Sequence, residues 1–279
     1  SSNTLASFYE FENEGFFPGA GQGHMLRFAL TTVLGHDLTA EQPKYLFQGK
    51  KISDLLDENR VLVLSGEDIA LVNPNTLTCP VFQSKQDAEL TKKIYERSPI
   101  IDREKSKGLQ DGNPWGVSFM RMFDMSNDSH LFKSRAELID LGFQIEQGNN
   151  YVLGRLRYLP LYEAKMLHLF NHRYGDFELA ADGQRAHILP DVPLEKLSDQ
   201  EYVVQPYYWV PEVEVRERTD SNQGFFAFRS INNSANARAF IGTVLPLAGV
   251  GNSAVVMHSE LLDRRQVALW GCLSSITFE

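Results

Sequence analysis

Hydrophobic and polar positions change their period repeatedly along this chain. LASFYEF (Leu5 to Phe11) and MLRFALTTVL (Met25 to Leu34) are dense in aromatic and β-branched residues. The turn-forming FFPGAGQG between them completes the pattern of two strands and a loop. KISDLL predicts a short helix or turn, and RVLVLS a strand. NPNTLTCPVF (Asn73 to Phe82) is loop-like, with Asn, Pro and Thr as turn formers. In SKQDAELTKKIYERSP, Ser84 stands as a helix cap with Asp87 at capping-box spacing, and Leu90 and Ile94 fall on one face.

From Ile100 to Tyr158 the chain is turn-rich, with GVSFMRMF and YVLGRLRYL as strand candidates. In YLPLYEAKMLHLFNHRYGDF (Tyr158 to Phe177), Leu161, Met166, Leu169 and Phe170 recur at helical spacing, which predicts a helix. Lys165, His168 and His172 would then share its polar face. Ala180 to Gln200 is polar and is expected to be an exposed excursion. VVQPYYWV and FFAFRSI read as strands, ANARAFIGTVL as a helix or strand, and PLAGVGNSAVVM as a glycine-containing loop running into a strand. The expected fold class is mixed α+β, with a boundary in the loop between Asn73 and Ser84.

With 279 residues, 43% hydrophobic and 23% charged, the composition is that of an ordinary soluble globular protein. No apolar run of membrane-spanning length and no basic-then-apolar leader is present, so a cytoplasmic location and no membrane partner are expected. Cys79 and Cys272 have no partner at metal-ligand spacing and are expected to be buried thiols. The net charge of −9 argues against holding a polyanion by bulk charge. Acidic residues are crowded locally, however, at Glu10, Glu12 and Glu14 and at Glu212, Glu214 and Glu217. The chain begins at Ser1 and opens directly on a strand-like run, as a piece of a longer protein would.

Candidate chemistry is sparse. His168 and His172, four apart, could chelate zinc, yet Leu169 stands where a zincin needs Glu, and no third ligand is evident. Asp140, Glu163 and Lys165 have the order of a metal-dependent nuclease core. The helical spacing around Glu163 places that pair on a helix, where such nucleases use a strand. Asn73-Pro74-Asn75-Thr76 and Asn113-Pro114-Trp115 each fall short of Asn-Pro-Pro-aromatic, and the Phe-x-Gly-x-Gly of FFPGAGQG opens no helix. FRSINNSANARAF (Phe228 to Phe240) gathers Arg229, Asn232, Asn233, Asn236 and Arg238 without a carboxylate. These side chains suit base edges and phosphates, or equally a polar loop with asparagines in turns.

Several segments together resemble the C-terminal half of large adenine-specific DNA methylases of type IIG restriction-modification systems and of related phage-defence systems such as BREX and DISARM. They are LASFYEFENEGFFPG with MLRFALTTV, DIALVNPNTLTCPVFQSKQDAELTKKIYERSP, MRMFDMSNDSHLF, YLPLYEAKMLHLFNHRYGDF, YWVP, and FRSINNSANARAFIGTVLP with GVGNS. They stand in the family's order over nearly the whole chain. The resemblance implies that residues 1–80 are the last strands of a Rossmann-like methyltransferase domain and that 81–279 form a TaqI-like target-recognition domain. It also implies that the catalytic and S-adenosylmethionine motifs lie upstream, so this piece carries no cofactor and no catalytic residue of its own. Its partners would be double-stranded DNA and the upstream catalytic half. The DNA-contact candidates are Arg121, Asn127, His130, Lys165, His168, His172, Arg173, Arg229, Asn232, Asn233, Asn236 and Arg238. The alternatives are a metal-dependent nuclease and a non-enzymatic interaction module of the same system.

Overall fold

A computed structural model describes residues 4–19, 26–35, 37–38, 42–98, 100–104, 112–180, 188–219, 224–233, 236–260 and 264–275. The fold is mixed α+β, and the chain divides into two compact units between Pro114 and Trp115. Among the described residues, no helix is long and apolar enough to cross a membrane.

The first unit is built on a four-stranded mixed sheet. Strand β1 (Leu5–Glu12) pairs antiparallel with β2 (Arg27–Val33) and parallel with β3 (Lys44–Gly49), which pairs with the short β4 (Leu62–Val63). β1 and β2 are therefore the two arms of the expected hairpin; residues 20–25, with two of the glycines of FFPGAGQG, lie outside the described residues. KISDLL forms a 3-10 turn over Ile52–Leu56. RVLVLS contributes only the two residues of β4.

Two helices follow, α1 (Gly66–Val72) and α2 (Lys85–Arg97). The Ser65 hydroxyl and the Asp68 carboxylate cap α1 reciprocally. At α2, Ser84 accepts from the Asp87 amide as expected, without a reciprocal bond from Asp87. Its apolar pair is not the buried face: Leu90 and Ile94 are exposed, while Ala88 packs with Tyr45, Phe47, Leu62, Leu64 and Phe82. That packing ties α2 to the first sheet, so the compact unit runs on to Pro114, beyond the boundary expected at residue 80. Cys79 lies at the edge of this core, where burial pushes its thiol up to about 11. Cys272 is exposed, contrary to expectation.

The second unit holds two sheets. One has the order β11 (Gly242–Leu245), β10 (Phe225–Arg229), β13 (Ala254–Ser259), β5 (Val117–Met120). The other runs β12 (Gly249–Val250), β8 (Leu156–Tyr162), β7 (Tyr151–Leu153), β6 (Gln144–Ile145), with β9 (Trp209–Pro211) also paired to β8. YVLGRLRYL is thus a hairpin, β7 turning into β8 at Gly154, whose φ of +60° suits a residue without a Cβ. Only Trp209–Pro211 of VVQPYYWV is strand.

Alternation along β10 sorts its residues. Phe225 and Ala227 join Leu159, Leu161, Val210, Val250 and Val256 in the main core. Phe226 and Phe228 take the other face, where Phe226 stacks on Trp270 of helix α6 (Arg264–Leu273) with ring centroids 5.3 Å apart. Helices α3 (Arg135–Asp140), α4 (Leu194–Ser198) and α5 (Glu212–Arg218) fill the connections. The β8–β9–β12 junction is tight. A Cβ on Gly249 would fall 2.5 Å from Val210 Cγ2 and 3.1 Å from Leu161 Cδ1.

The helix expected over Tyr158 to Phe177 is not formed. Its first residues are the end of β8, which bonds β7, β9 and β12 in succession and buries Leu159 to Tyr162. Pro160 lacks the amide a helix interior needs. A 3-10 turn at Ala164–Met166, irregular chain and a second 3-10 turn at Phe177–Leu179 complete the segment. Apolar residues recurred because the strand and the turns after it are both wrapped in core. In the polar stretch from Ala180 to Gln200, residues 181–187 lie outside the described residues; Leu189 and Val192 are buried in the main core, so it is not wholly an excursion.

Candidate nucleic-acid interface

With the helix gone, Lys165, His168 and His172 do not share a helical face. Lys165 lies 3.3 Å from the Glu163 carboxylate, with its ammonium 4.7 Å from the centre of the Phe177 ring. Glu163 is itself buried, while Asp140 is exposed at the end of α3. Among the described residues no group of three or more His, Cys, Asp or Glu is arranged to hold a metal ion.

His168 begins a tight turn. Its amide donates to the Asn171 carbonyl at 2.7 Å, and the Asn171 amide donates back at 3.0 Å. Leu169 and Phe170 occupy the tip. Phe170 has φ +56°, a left-handed conformation costing a bulky side chain about 1–3 kcal/mol, and its ring is 69% exposed. Its amide is anchored to the Gly242 carbonyl at 3.2 Å, so β11 holds the strained residue in place.

The structure brings the Tyr158–Phe177 segment and the Arg229–Arg238 segment together. Arg229 ends β10, and its Nε and Nη2 both donate to the Leu167 carbonyl, at 3.1 and 2.7 Å. Its guanidinium lies 5.9 Å from the centre of the Tyr174 ring, which packs on the His168 ring at 4.6 Å. Burial, then the Arg229 charge, hold the His168 pKa below its usual value against the opposing pull of Asp191. Burial and Arg173 depress that of His172. Both imidazoles are therefore neutral at pH 7, suited to hydrogen bonding and ring contact rather than to phosphate pairing.

The other arginines of the pair of segments are also engaged with backbone. Arg173 donates to the carbonyls of Leu197, Asp199 and Tyr202 at 3.0, 2.8 and 3.0 Å, closing the C-terminal end of α4. Arg238 donates to the Ser274 carbonyl at 2.8 Å, just past α6. Asn232 donates to the carbonyls of Arg238 and Ala239, and the Asn236 amide reaches the Asn232 carboxamide oxygen. The Asn233 amide bonds that same oxygen. These asparagines shape their own loop, as the polar-loop reading expected.

Arg121, Asn127 and His130 are exposed. Arg121 follows β5 and lines a separate hollow with Phe119 and Phe228. The Asn127 amide bonds the Asp124 carboxylate, so its side chain projects from a carboxylate-capped turn. The incomplete motifs in the first unit are likewise in turns: Asn73 bonds Thr78, and Asn75 bonds the Asp102 carbonyl and the Glu104 amide.

Two hollows of about 490 Å³ each share His172 and Pro246. One lies between the Phe170 turn, β11 and α6, and the other is rimmed by Asn150, Arg173, Gln200 and Tyr202. Among the described residues, neither is lined by an Asp or Glu. In a chain with 36 acidic residues against 27 basic ones, a carboxylate-free concavity is where an anionic ligand meets the least repulsion. The larger hollow beside β7 and α5 differs, for Glu212 and Glu217 line it. No sequence motif pointed to the hollow beside α6, because Phe170, Thr243 and Trp270 that line it come from distant parts of the chain.

No protein-family model matches the chain, and a search of curated proteins returns no match.

Proposed function

We propose that the chain is a DNA target-recognition piece of an adenine-specific DNA methyltransferase from a restriction-modification or phage-defence system. In this reading the first unit is the end of a Rossmann-like methyltransferase domain, and the second is a TaqI-like reader of double-stranded DNA. S-adenosylmethionine and the catalytic residues belong to the upstream half of the complete enzyme, which flips the target base and transfers the methyl group. The ordered sequence blocks suggest the family. The observation that carries the reading is the meeting of two of those blocks at Arg229 and Leu167, beside concave surface with no carboxylate among its described lining residues.

The chain is expected to bind duplex DNA without sequence preference at about 10⁻⁴–10⁻⁶ M near physiological salt, and to bind more tightly as salt falls. A fluorescence-anisotropy titration across a salt series tests this. A duplex affinity too weak to measure at 50 mM salt (about 0.05 M) would overturn the reading. A second reading, a protein-interaction module of the same system, is favoured by the net charge of −9 and by the exposed Leu141, Leu153, Leu156 and Val213 around the larger hollow. That reading predicts no duplex binding at any salt.

A further inference from the structure

We propose that the hollow between the Leu169–Phe170 turn and α6 is a stacking slot for a single unstacked nucleobase, with Phe170 as its exposed wall. The proposal rests on the chain being a nucleic-acid binder and adds to it a named contact. Phe170 is a large apolar ring held in solvent by a left-handed backbone that the Gly242 carbonyl anchors, and no core packing in the second unit accounts for that exposure. His172 and Trp270 line the hollow as well. Trp270 stacks on Phe226, another lining residue, and its buried indole N–H has no acceptor among the described residues. His172 is neutral at pH 7 and offers a flat ring without charge.

The size also fits, since a space of about 490 Å³ falls in the range of small-molecule sites and exceeds what one base requires. The lining is otherwise mostly apolar, from Phe226, Val244, Leu245, Pro246 and Val267. The adjoining hollow shares His172 and Pro246 with it and is lined by Arg173, with no Asp or Glu among its described lining residues, which suits a sugar–phosphate backbone entering beside the base. Among the described lining residues of the two hollows the charged side chain is Arg173, and its sign favours a polyanion over a basic peptide.

The test compares two labelled single strands on the full chain: a deoxyadenosine octamer, and an octamer with abasic tetrahydrofuran at every position. Stacking of one base is worth roughly a 5- to 150-fold preference for the adenosine strand. Phe170→Ala should remove that preference and leave abasic binding unchanged, and Phe170→Tyr should restore it. Because Phe170→Gly accepts the positive φ, its unfolding midpoint should match or exceed the parent's while the preference is still lost, which separates stacking from misfolding. Equal binding of the two strands, or a preference that survives Phe170→Ala, overturns the slot. A chain that binds duplex but shows no base preference keeps the DNA reading and loses the slot. One that shows the preference yet ignores duplex keeps the slot and loses the duplex reading, and capture of a peptide with no oligonucleotide binding overturns both.

Discussion

Replacing Arg229 by Ala separates a structural arginine from a DNA-reading one. Nε and Nη2 share one acceptor, the Leu167 carbonyl, so they count as a single charged hydrogen bond worth about 1.5–3 kcal/mol. Leu167 has no exposed surface, and water will replace the lost donor poorly. The upper half of the range therefore applies, about 2–3 kcal/mol. For a unit of this size each kcal/mol lowers the melting temperature by about 2–4 °C, giving a drop of roughly 4–12 °C. Arg229→Lys should recover part of the loss, because an ammonium keeps the charge but cannot present two adjacent donors to one carbonyl. Thermal and urea unfolding followed by circular dichroism supply the measurement. If Arg229→Ala unfolds within about 0.5 kcal/mol of the parent, a difference typical of surface substitutions, the pin to Leu167 is not a support. DNA affinity lost without stability would then mark the guanidinium as a direct contact.

Depressed histidine pKa values predict a further pH effect. His168 and His172 are held neutral by burial and by Arg229 and Arg173, so their stabilisation is complete above pH 6.5 and is lost as pH falls through their lowered folded values. The urea midpoint should decline below pH 6.5, and the decline should shrink in the His168→Gln, His172→Gln double variant; an unchanged pH profile would contradict this. Gly249→Ala should cost about 1–3 kcal/mol, since the new methyl meets buried Val210 and Leu161 with no flexible end to yield, and an unaltered denaturation midpoint would show the junction to be looser than described.

Local signals were legible where one element decides its own conformation. LASFYEF and MLRFALTTVL form strands and pair as expected, and Ser84 caps its helix, because strand propensity and capping act over a few residues. Tyr158 to Phe177 was misread because a strand buried on both faces carries a continuous apolar run whose period is ambiguous. The helix pattern of Leu90 and Ile94 is real but does not choose the buried side, which Ala88 takes by packing on distant strands. The grouping of the candidate residues was partly legible: Arg229 bonds Leu167 and acts on His168, and His172 and Arg173 line one hollow. Their tasks were not, since carbonyl acceptors at Leu167 and Leu197 leave no trace in side-chain chemistry. Phe170 was hidden as well, because an aromatic residue gives no sign that its backbone will turn left-handed.

The central place of β13 in its sheet has a consequence for how the second unit comes into being. β13 lies between β10 and β5 and hydrogen-bonds both, while the Glu260 amide and the Ser259 hydroxyl close onto the carbonyls of Gly116 and Trp115. The first and last strands of that sheet are thus joined across more than 130 residues of chain. During synthesis β5, β10 and β11 emerge before the strand that links β5 to the others, so they wait with unpaired edges until Ser259 has been made. A ribosome stalled just before Ala254 would release a chain with most of its core side chains and no way to close the sheet, a natural substrate for chaperones and proteases.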